Sequence, residues 1–423
     1  MPYPAACGRQ AKEGYGKPHP YSLRSIGMAT VVVSTYKVAS YPEGGGHFWV
    51  YMQYVQGLQR LGCDVYWLEK LRSTGDAGQD RARVAEFLKR MDRFGLEGKC
   101  VLYYDLKGGD GGVSRSYIGV SSSQAEALFR RADLVLNFHY AIDPALLALF
   151  RRTALVDIDP GLLQTWIATG QLAPAPHDVY FSTGETVGTE RARFPDCGIP
   201  WRRIRPPVCL ERWPYTHDPT CEAFTTVSSW WSHDWVKDAR GVLFDNNKRV
   251  SFMDFVELPR LTSQKLELAL CLGNKPHDFE DRQMLERHGW RVRHGHEVAG
   301  TPEMYQAYVQ RSRGEFSCAK PTCMKFQGAW VSDRTLCYLA SGKPVVVQHT
   351  GPSAFLPNGE GMFRFSTAEE AMGAFEAINA NYQWHCRKAR EITEAYFDSV
   401  QIAECILNGA LHEQESAMGV VTE

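Results

Sequence analysis

No apolar run in this 423-residue chain approaches the ~18–20 residues that a helix needs to cross a bilayer. The opening segment, MPYPAACGRQAKEGYGKPHPYSLRS, is polar, rich in Pro and Gly, and lacks the apolar middle of a secretory signal. Residues 1–27 therefore read as a flexible arm, and the expected location is cytoplasmic. The twelve cysteines contain no CxxC pair, and only Cys318 and Cys323 lie close together. That argues against a zinc centre and gives no disulfide framework, so no metal is expected. A formal net charge of −1 removes any bulk electrostatic reason to bind nucleic acid or an anionic membrane. Internal repeats are absent, and low complexity is confined to the arm.

The composition is that of an ordinary globular protein, 44% apolar and 22% charged. The length is too great for one core and predicts two or three domains. Ala29 to Ser34 (ATVVVS) is a buried-type strand, followed by a loop ending in Glu43-Gly44-Gly45-Gly46-His47. Phe48, Tyr51, Met52, Val55, Leu58 and Leu61 then recur at helical spacing up to Gly62, and Val65 to Leu68 reads as the next strand. Alternation continues with helices at 84–91 and 122–131 and strands at 101–104, 134–137, 154–158 and 179–182. Strands alternating with helices predict a parallel sheet covered on both faces. Residues 199–215 (IPWRRIRPPVCLERWPY) read as a linker rich in Pro and Arg. A second α/β series starts at Phe224, with helices at 248–258, 278–288 and 304–310, strands at 266–272 and 290–292, and three closing helices at 368–378, 381–396 and 400–411.

Residues 314–351 carry the most information. A run at Glu315 to Ala319 leads into a polar loop, Ser332-Asp333-Arg334 opens a helix that ends at Gly342, and Pro344 to Val347 forms a strand closed by Thr350-Gly351. A helix start of this kind offers backbone N–H groups and a positive dipole end to an anion. Lys320, Lys325 and Arg334 lie around it, and the unit suits the diphosphate of a nucleotide-sugar.

The segments GGGHFWVYMQYVQGLQRLGCDVYWLE (44–69) and SDRTLCYLASGKPVVVQHTG resemble the glycine-rich loop and the donor-binding half of group-1-type GT-B glycosyltransferases. The second is similar to a poorly characterised bacterial subgroup with SDR, YLASGxPV and TG motifs in that order. The resemblance implies two Rossmann-like domains facing a cleft, with closing C-terminal helices: an acceptor domain over 28–205, a donor domain over 206–395, and a final helix and tail over 396–423 packing back on the first domain. Retaining enzymes of this architecture carry a ribose-binding glutamate where this chain has Cys337. That departure leaves the stereochemical outcome and the ribose contacts open.

Each motif has a functional and a structural reading. Gly44, Gly45 and Gly46 let backbone approach a sugar or phosphate. By the resemblance, His47 is the general base of an inverting enzyme, with Asp143, Asp157 or Asp159 to orient it; otherwise it only starts a helix. Asp157 and Asp159 end a strand, where open α/β sheets hold ligands, but they also suit a turn. Ser332 and its neighbouring N–H groups are expected to hold the diphosphate, Arg334 to offer a planar fork, and Asp333 to meet a sugar hydroxyl or cap the helix. Lys320 and Lys248 are expected to neutralise the leaving group without a metal, Lys248 because a cation at a helix start is electrostatically misplaced unless a ligand faces it. Thr350 and Gly351 are expected near the donor sugar. Trp230, Trp231 and Trp235 read as stacking platforms or core.

The expected activity is transfer of a sugar, a hexose, from a nucleoside-diphosphate sugar to a hydroxyl or amine of a natural product or glycan, with no cofactor beyond that co-substrate. A nucleotide-sugar 2-epimerase and a non-catalytic nucleotide-sugar-binding protein are the rival readings. A homodimer is left open.

Overall fold

The computed structural model describes residues 29–107, 113–232, 235–237 and 241–411. The arm expected over 1–27 and the tail beyond 411 lie outside the described residues. The first sheet contains β1 (Thr30–Thr35), β2 (Asp64–Lys70), β3 (Cys100–Lys107), β4 (Val113–Ile118), β5 (Leu134–Asn137), β6 (Thr153–Asp157), β7 (Val179–Ser182) and β8 (Trp201–Arg203). Their spatial order is β4-β3-β2-β1-β5-β6-β7-β8. Only β4 runs antiparallel to its neighbour. The second sheet contains β9 (Ala223–Ser229), β12 (Lys265–Cys271), β13 (Arg291–His294), β14 (Gly314–Ser317), β15 (Val345–Gln348) and β16 (Met362–Phe365); a hairpin of β10 (Trp235–Lys237) and β11 (Leu243–Asp245) stands apart. Its order is β13-β12-β9-β14-β15-β16, all parallel.

In the second sheet the third strand, β13, lies outermost and the first, β9, is central; the first sheet has the same doubly wound order with β4 added outside β3. The strands nearest the centre are β-branched and covered on both faces; Val31, Val32 and Val33 of β1 are all fully buried. In this arrangement the order reverses between β1 and β5, and between β9 and β14. Ligands of open α/β sheets sit at that reversal, outside the C-terminal strand ends.

The chain passes from the first lobe to the second and back again at one place. The Val208 N–H donates to the Phe397 carbonyl (2.7 Å), and the Val208 carbonyl accepts from the Ser399 N–H (3.0 Å). The last helix, Ser399–Leu411, then lies on helix Gly45–Arg60 of the first lobe. Gly57 makes this approach feasible, because a Cβ there would meet the Ser399 carbonyl oxygen at 2.3 Å. Below the cleft the lobes share apolar packing: the Trp49 ring lies 5.0 Å from that of Trp213, which lies 6.1 Å from Tyr305. The Trp49 indole N–H donates to the Pro302 carbonyl at 3.0 Å.

Several elements differ from the sequence reading. Residues 201–203, read as linker, form the edge strand β8. The polar loop before Ser332 contains helix Pro321–Phe326, with proline at the first helical position. The helix expected over 248–258 splits into Lys248–Met253 and Leu258–Leu261, the second with Pro259 in its first turn. β4 and the β10–β11 hairpin escaped notice because they are antiparallel additions outside the strand–helix alternation, and each hairpin strand is only three residues long.

Candidate active site

A cleft of about 950 Å³ opens between the lobes at the C-terminal strand ends. Its first-lobe wall includes Tyr36, Lys37 and Gly44 to His47, and its second-lobe wall includes Ser228, His296, Ser332, Asp333 and Arg334. The glycine loop and the Ser-Asp-Arg turn thus face one space, although some 290 residues separate them in sequence. An adjoining pocket of about 250 Å³ shares Val227, Ser228, Ser229 and Arg334, and is lined further by Asp159, Lys248, Lys320 and Cys323.

Lys248 starts a helix and is 8% exposed, yet no carboxylate pairs with it among the described residues. Burial, then the charges of Arg334 and Lys320, hold its pKa well below the usual lysine range. Lys320 sits at the cap position of helix Pro321–Phe326, on the same pocket. Two lysines and an arginine converging in a small space repel one another, which an anionic ligand relieves.

Arg334 is less available than its motif suggested. Its Nε donates to Glu315 Oε1 (2.6 Å) and one terminal nitrogen donates to the Val227 carbonyl (3.1 Å). Glu315 is fully buried, and its Oε2 lacks a hydrogen bond. The guanidinium fork is therefore held largely by the protein, and only its remaining N–H groups face the pockets. Sequence reasoning passed over Glu315; its signal was a charged residue in a central strand, where charge is rare unless paired.

Ser332 occupies the cap position of helix Asp333–Ala340, but its side chain caps no backbone N–H. The first-turn donors are thus left to other partners. The Asp333 carboxyl is pushed up to about 7 by burial, then by the charge of Asp159. The two carboxyl groups are near enough to influence each other across the junction of the two pockets.

The glycine triplet lines the cleft, and its bare backbone also serves packing. A Cβ on Gly45 would lie 2.3 Å from the Thr301 carbonyl oxygen and 2.5 Å from that of Ala299. One on Gly46 would meet the Tyr305 ring at 2.8 Å, and one on Gly44 the Tyr41 ring at 2.4 Å. At Gly45 and Gly46 the missing side chains let the first lobe close on backbone and ring of the second. Across the same junction the Tyr41 hydroxyl lies 2.9 Å from His296 Nε2, a contact that neither sequence segment announced.

His47 lines the cleft, with Nε2 2.7 Å from the Tyr36 carbonyl. A carbonyl only accepts, so Nε2 carries the proton and Nδ1 holds the lone pair. Burial lowers the pKa, which keeps the ring neutral at pH 7. Among the described residues no carboxylate orients it. Asp143 pairs with Arg115 and caps the Ala145 N–H. Asp157 is fully buried and accepts from Gln164 Nε2 (2.8 Å), Ser182 Oγ (2.7 Å) and the Asp159 N–H (3.0 Å). Burial pushes its carboxyl up to about 6. Asp157 thus braces the ends of β6 and β7 and reaches neither pocket, which corrects its assignment to the catalytic set. Asp159, two residues on, does line the smaller pocket.

Thr350 and Gly351 are held by the loop before Ser332. Thr350 Oγ1 donates to the Trp330 carbonyl at 2.7 Å, and its own carbonyl accepts from the Ala329 N–H. Gly351, at φ 124°, packs so closely that a Cβ would meet the Gln327 carbonyl oxygen at 2.2 Å. Both hold the 327–330 loop outside the cleft and its neighbouring pocket, and Thr350 borders a small cavity of about 20 Å³ that also reaches Ser332 and Arg334. Trp230 is core, whereas Trp231 lines the cleft and donates its indole N–H to Asp278 Oδ1 (2.6 Å). The Trp235 side chain lies outside the described residues.

No family model and no curated protein matches the chain. Solved structures do. An alpha-glucosyltransferase in complex with UDP-glucose and abasic-site DNA is 10% identical, with 90% of this chain and 98% of that one covered at a TM-score of 0.56. HepE of Anabaena in complex with UDP-glucose is 11% identical, with 92% and 99% covered at 0.55. Sucrose-phosphate synthase of Thermosynechococcus elongatus is 11% identical, with 92% and 100% covered at 0.54. At such identities the likeness is one of architecture, spanning nearly the whole of each chain. With two doubly wound lobes, a cleft at their strand ends and a last helix returning to the first lobe, the chain has the GT-B fold of glycosyltransferases.

Proposed function

We propose that the protein is a glycosyltransferase that moves a sugar from a nucleoside-diphosphate sugar to a hydroxyl or amine of a natural product or glycan. The observation that carries the reading is the unpaired, buried Lys248 beside Lys320 and Arg334, at the mouth of the second lobe's central strands. Their charge offsets that of a departing diphosphate as the anomeric C–O bond breaks. Ser332 and the first-turn N–H groups of its helix add donors, and Asp333 accepts from a sugar hydroxyl when ionised. His47 Nδ1 takes the acceptor's proton in an inverting displacement, with the Tyr36 carbonyl fixing the tautomer as a carboxylate would elsewhere. Support comes also from the neighbours, two of which were solved with UDP-glucose. We place the reaction in the cytoplasm and assign the charge neutralisation to the protein's own cations, without a metal.

Nucleoside diphosphate release from UDP-, GDP- and dTDP-glucose, with and without EDTA and added acceptors, tests this. The expected result is slow nucleoside diphosphate release from one donor by hydrolysis, faster release by transfer when acceptor is added, and no effect of EDTA on either. Interconversion of sugars without release supports the epimerase reading. Binding of a donor with neither reaction supports a binding protein.

A further inference from the structure

We propose that the acceptor carries an oxyanion, a phosphate or carboxylate group, held on the first-lobe wall of the cleft by Lys37, Arg72 and Arg83. The inference rests on the transferase reading above and names the acceptor class for it. All three cations line the same cleft as His47, and among the described residues Glu43 is the one carboxylate that lines that wall. None of the three forms an ion pair among the described residues; Asp80 lies near enough to Arg83 to feel its charge, but Lys37 and Arg72 still leave the wall with surplus positive charge. The donor diphosphate does not account for it, because Lys248 and Lys320 line the adjoining pocket, and Arg334, which borders both spaces, stands on the second-lobe wall. A neutral sugar gives no reason to collect three unpaired cations, whereas an oxyanion does, through the planar forks of two arginines and one ammonium.

The cluster is organised around one ring. The Lys37 ammonium lies 4.8 Å and the Arg72 guanidinium 5.8 Å from the Tyr36 ring centroid, and an Arg72 terminal nitrogen donates to the Tyr36 hydroxyl (3.1 Å). His139 stacks on the same ring at 5.1 Å with an interplanar angle of 24°. Burial, then the charges of Lys70 and Arg72, push the His139 pKa down to about 4, so this ring adds bulk without charge. Lys37 follows the end of β1 in the left-handed region, at φ 59°, where side chains rarely sit. The Tyr36 carbonyl also fixes His47. One residue at the central strand end therefore anchors both the cations and the base. An acceptor gripped by its oxyanion is held with the rest of the molecule directed along the cleft towards His47 Nδ1.

The test uses the full chain saturated with UDP, so that the donor phosphates' place is filled. Inorganic phosphate and glucuronate are titrated separately by calorimetry. The expected result is one site for at least one of the two, weakened tenfold or more in the Lys37→Gln/Arg72→Gln double variant while UDP affinity stays within twofold. Tighter binding of phosphate points to a phosphorylated acceptor, and tighter binding of glucuronate to an acidic sugar. Arg83→Gln alone gives a smaller loss and serves if the double variant does not fold. Absence of any second site in the UDP-saturated protein, or a second site of unchanged affinity in the variants, overturns the proposal while leaving the donor reading intact. Failure of the wild type to bind UDP, GDP or dTDP overturns both.

Discussion

Replacing Asp333 by Asn removes a carboxyl whose folded pKa is about 7 against an ordinary value of 3.8. A raised carboxyl pKa means that the folded state holds its proton where the unfolded chain has released it. Stability attributable to Asp333 is therefore greatest below about pH 4, declines as pH rises towards 7, and levels off above that. Between pH 5 and 8 the wild type should lose about 2–3 kcal/mol relative to Asp333→Asn, from integrating proton release over that window. Glu69, pushed up to about 7 by burial, and Asp157, at about 6, act with the same sign, but they cancel in the comparison of the two proteins. The assay is urea unfolding of both proteins at pH 5, 6, 7 and 8. The variant should gain on the wild type steadily with pH. A difference that stays constant across the window means that Asp333 titrates as an exposed carboxylate, and the picture of a desolvating cleft at the Ser-Asp-Arg turn is wrong.

Gly45→Ala forces a methyl group against the Thr301 and Ala299 carbonyls, so it should destabilise the protein by about 1–3 kcal/mol and reduce transfer more than donor affinity; unfolding and steady-state rates check this. Glu315→Gln leaves the Arg334 charge buried without its counter-ion and should cost about 3–5 kcal/mol. Bound nucleoside diphosphate should return part of that loss, visible as a larger ligand-induced rise in unfolding temperature than in the wild type. For the same reason Arg334→Ala strands Glu315, and a loss of nucleotide affinity in that variant does not isolate a phosphate contact.

Much of the fold could be read directly. β-branched runs such as Val31 to Val33, alternating with amphipathic helices, specify parallel sheets because strands covered on both faces tolerate little polarity. The strand at Leu134–Asn137 and the helix at Ser122–Arg131, with its Ser121 capping box, match their sequence limits. The edge strand β8 was obscured because edges tolerate the Pro and Arg that signal loops elsewhere. At the site, the motif residues Lys248, Ser332 and Asp333 carry local signals, a cation or a cap at a helix start, and Lys320 carries one as a cation just after a strand. What local pattern could not convey was the partner of each group. Glu315 opposite Arg334, the Tyr36 carbonyl opposite His47, and the 299–301 carbonyls opposite Gly45 are all contacts between distant segments. Thr350-Gly351 and Asp157 looked like ligand residues because strand ends attract both ligands and turns, and only packing separates the two.

The central claim is that cations of the second lobe grip a nucleoside diphosphate in the space between the lobes. The most direct measurement is calorimetric titration of UDP, GDP and dTDP into the wild type and the Lys248→Gln/Lys320→Gln variant. The account predicts that one nucleotide binds the wild type and loses about 100-fold or more in the variant, in line with two charge-assisted contacts of about 1.5–3 kcal/mol each. Equal affinity of the two proteins for that nucleotide, or no affinity of the wild type for any of the three, would contradict it.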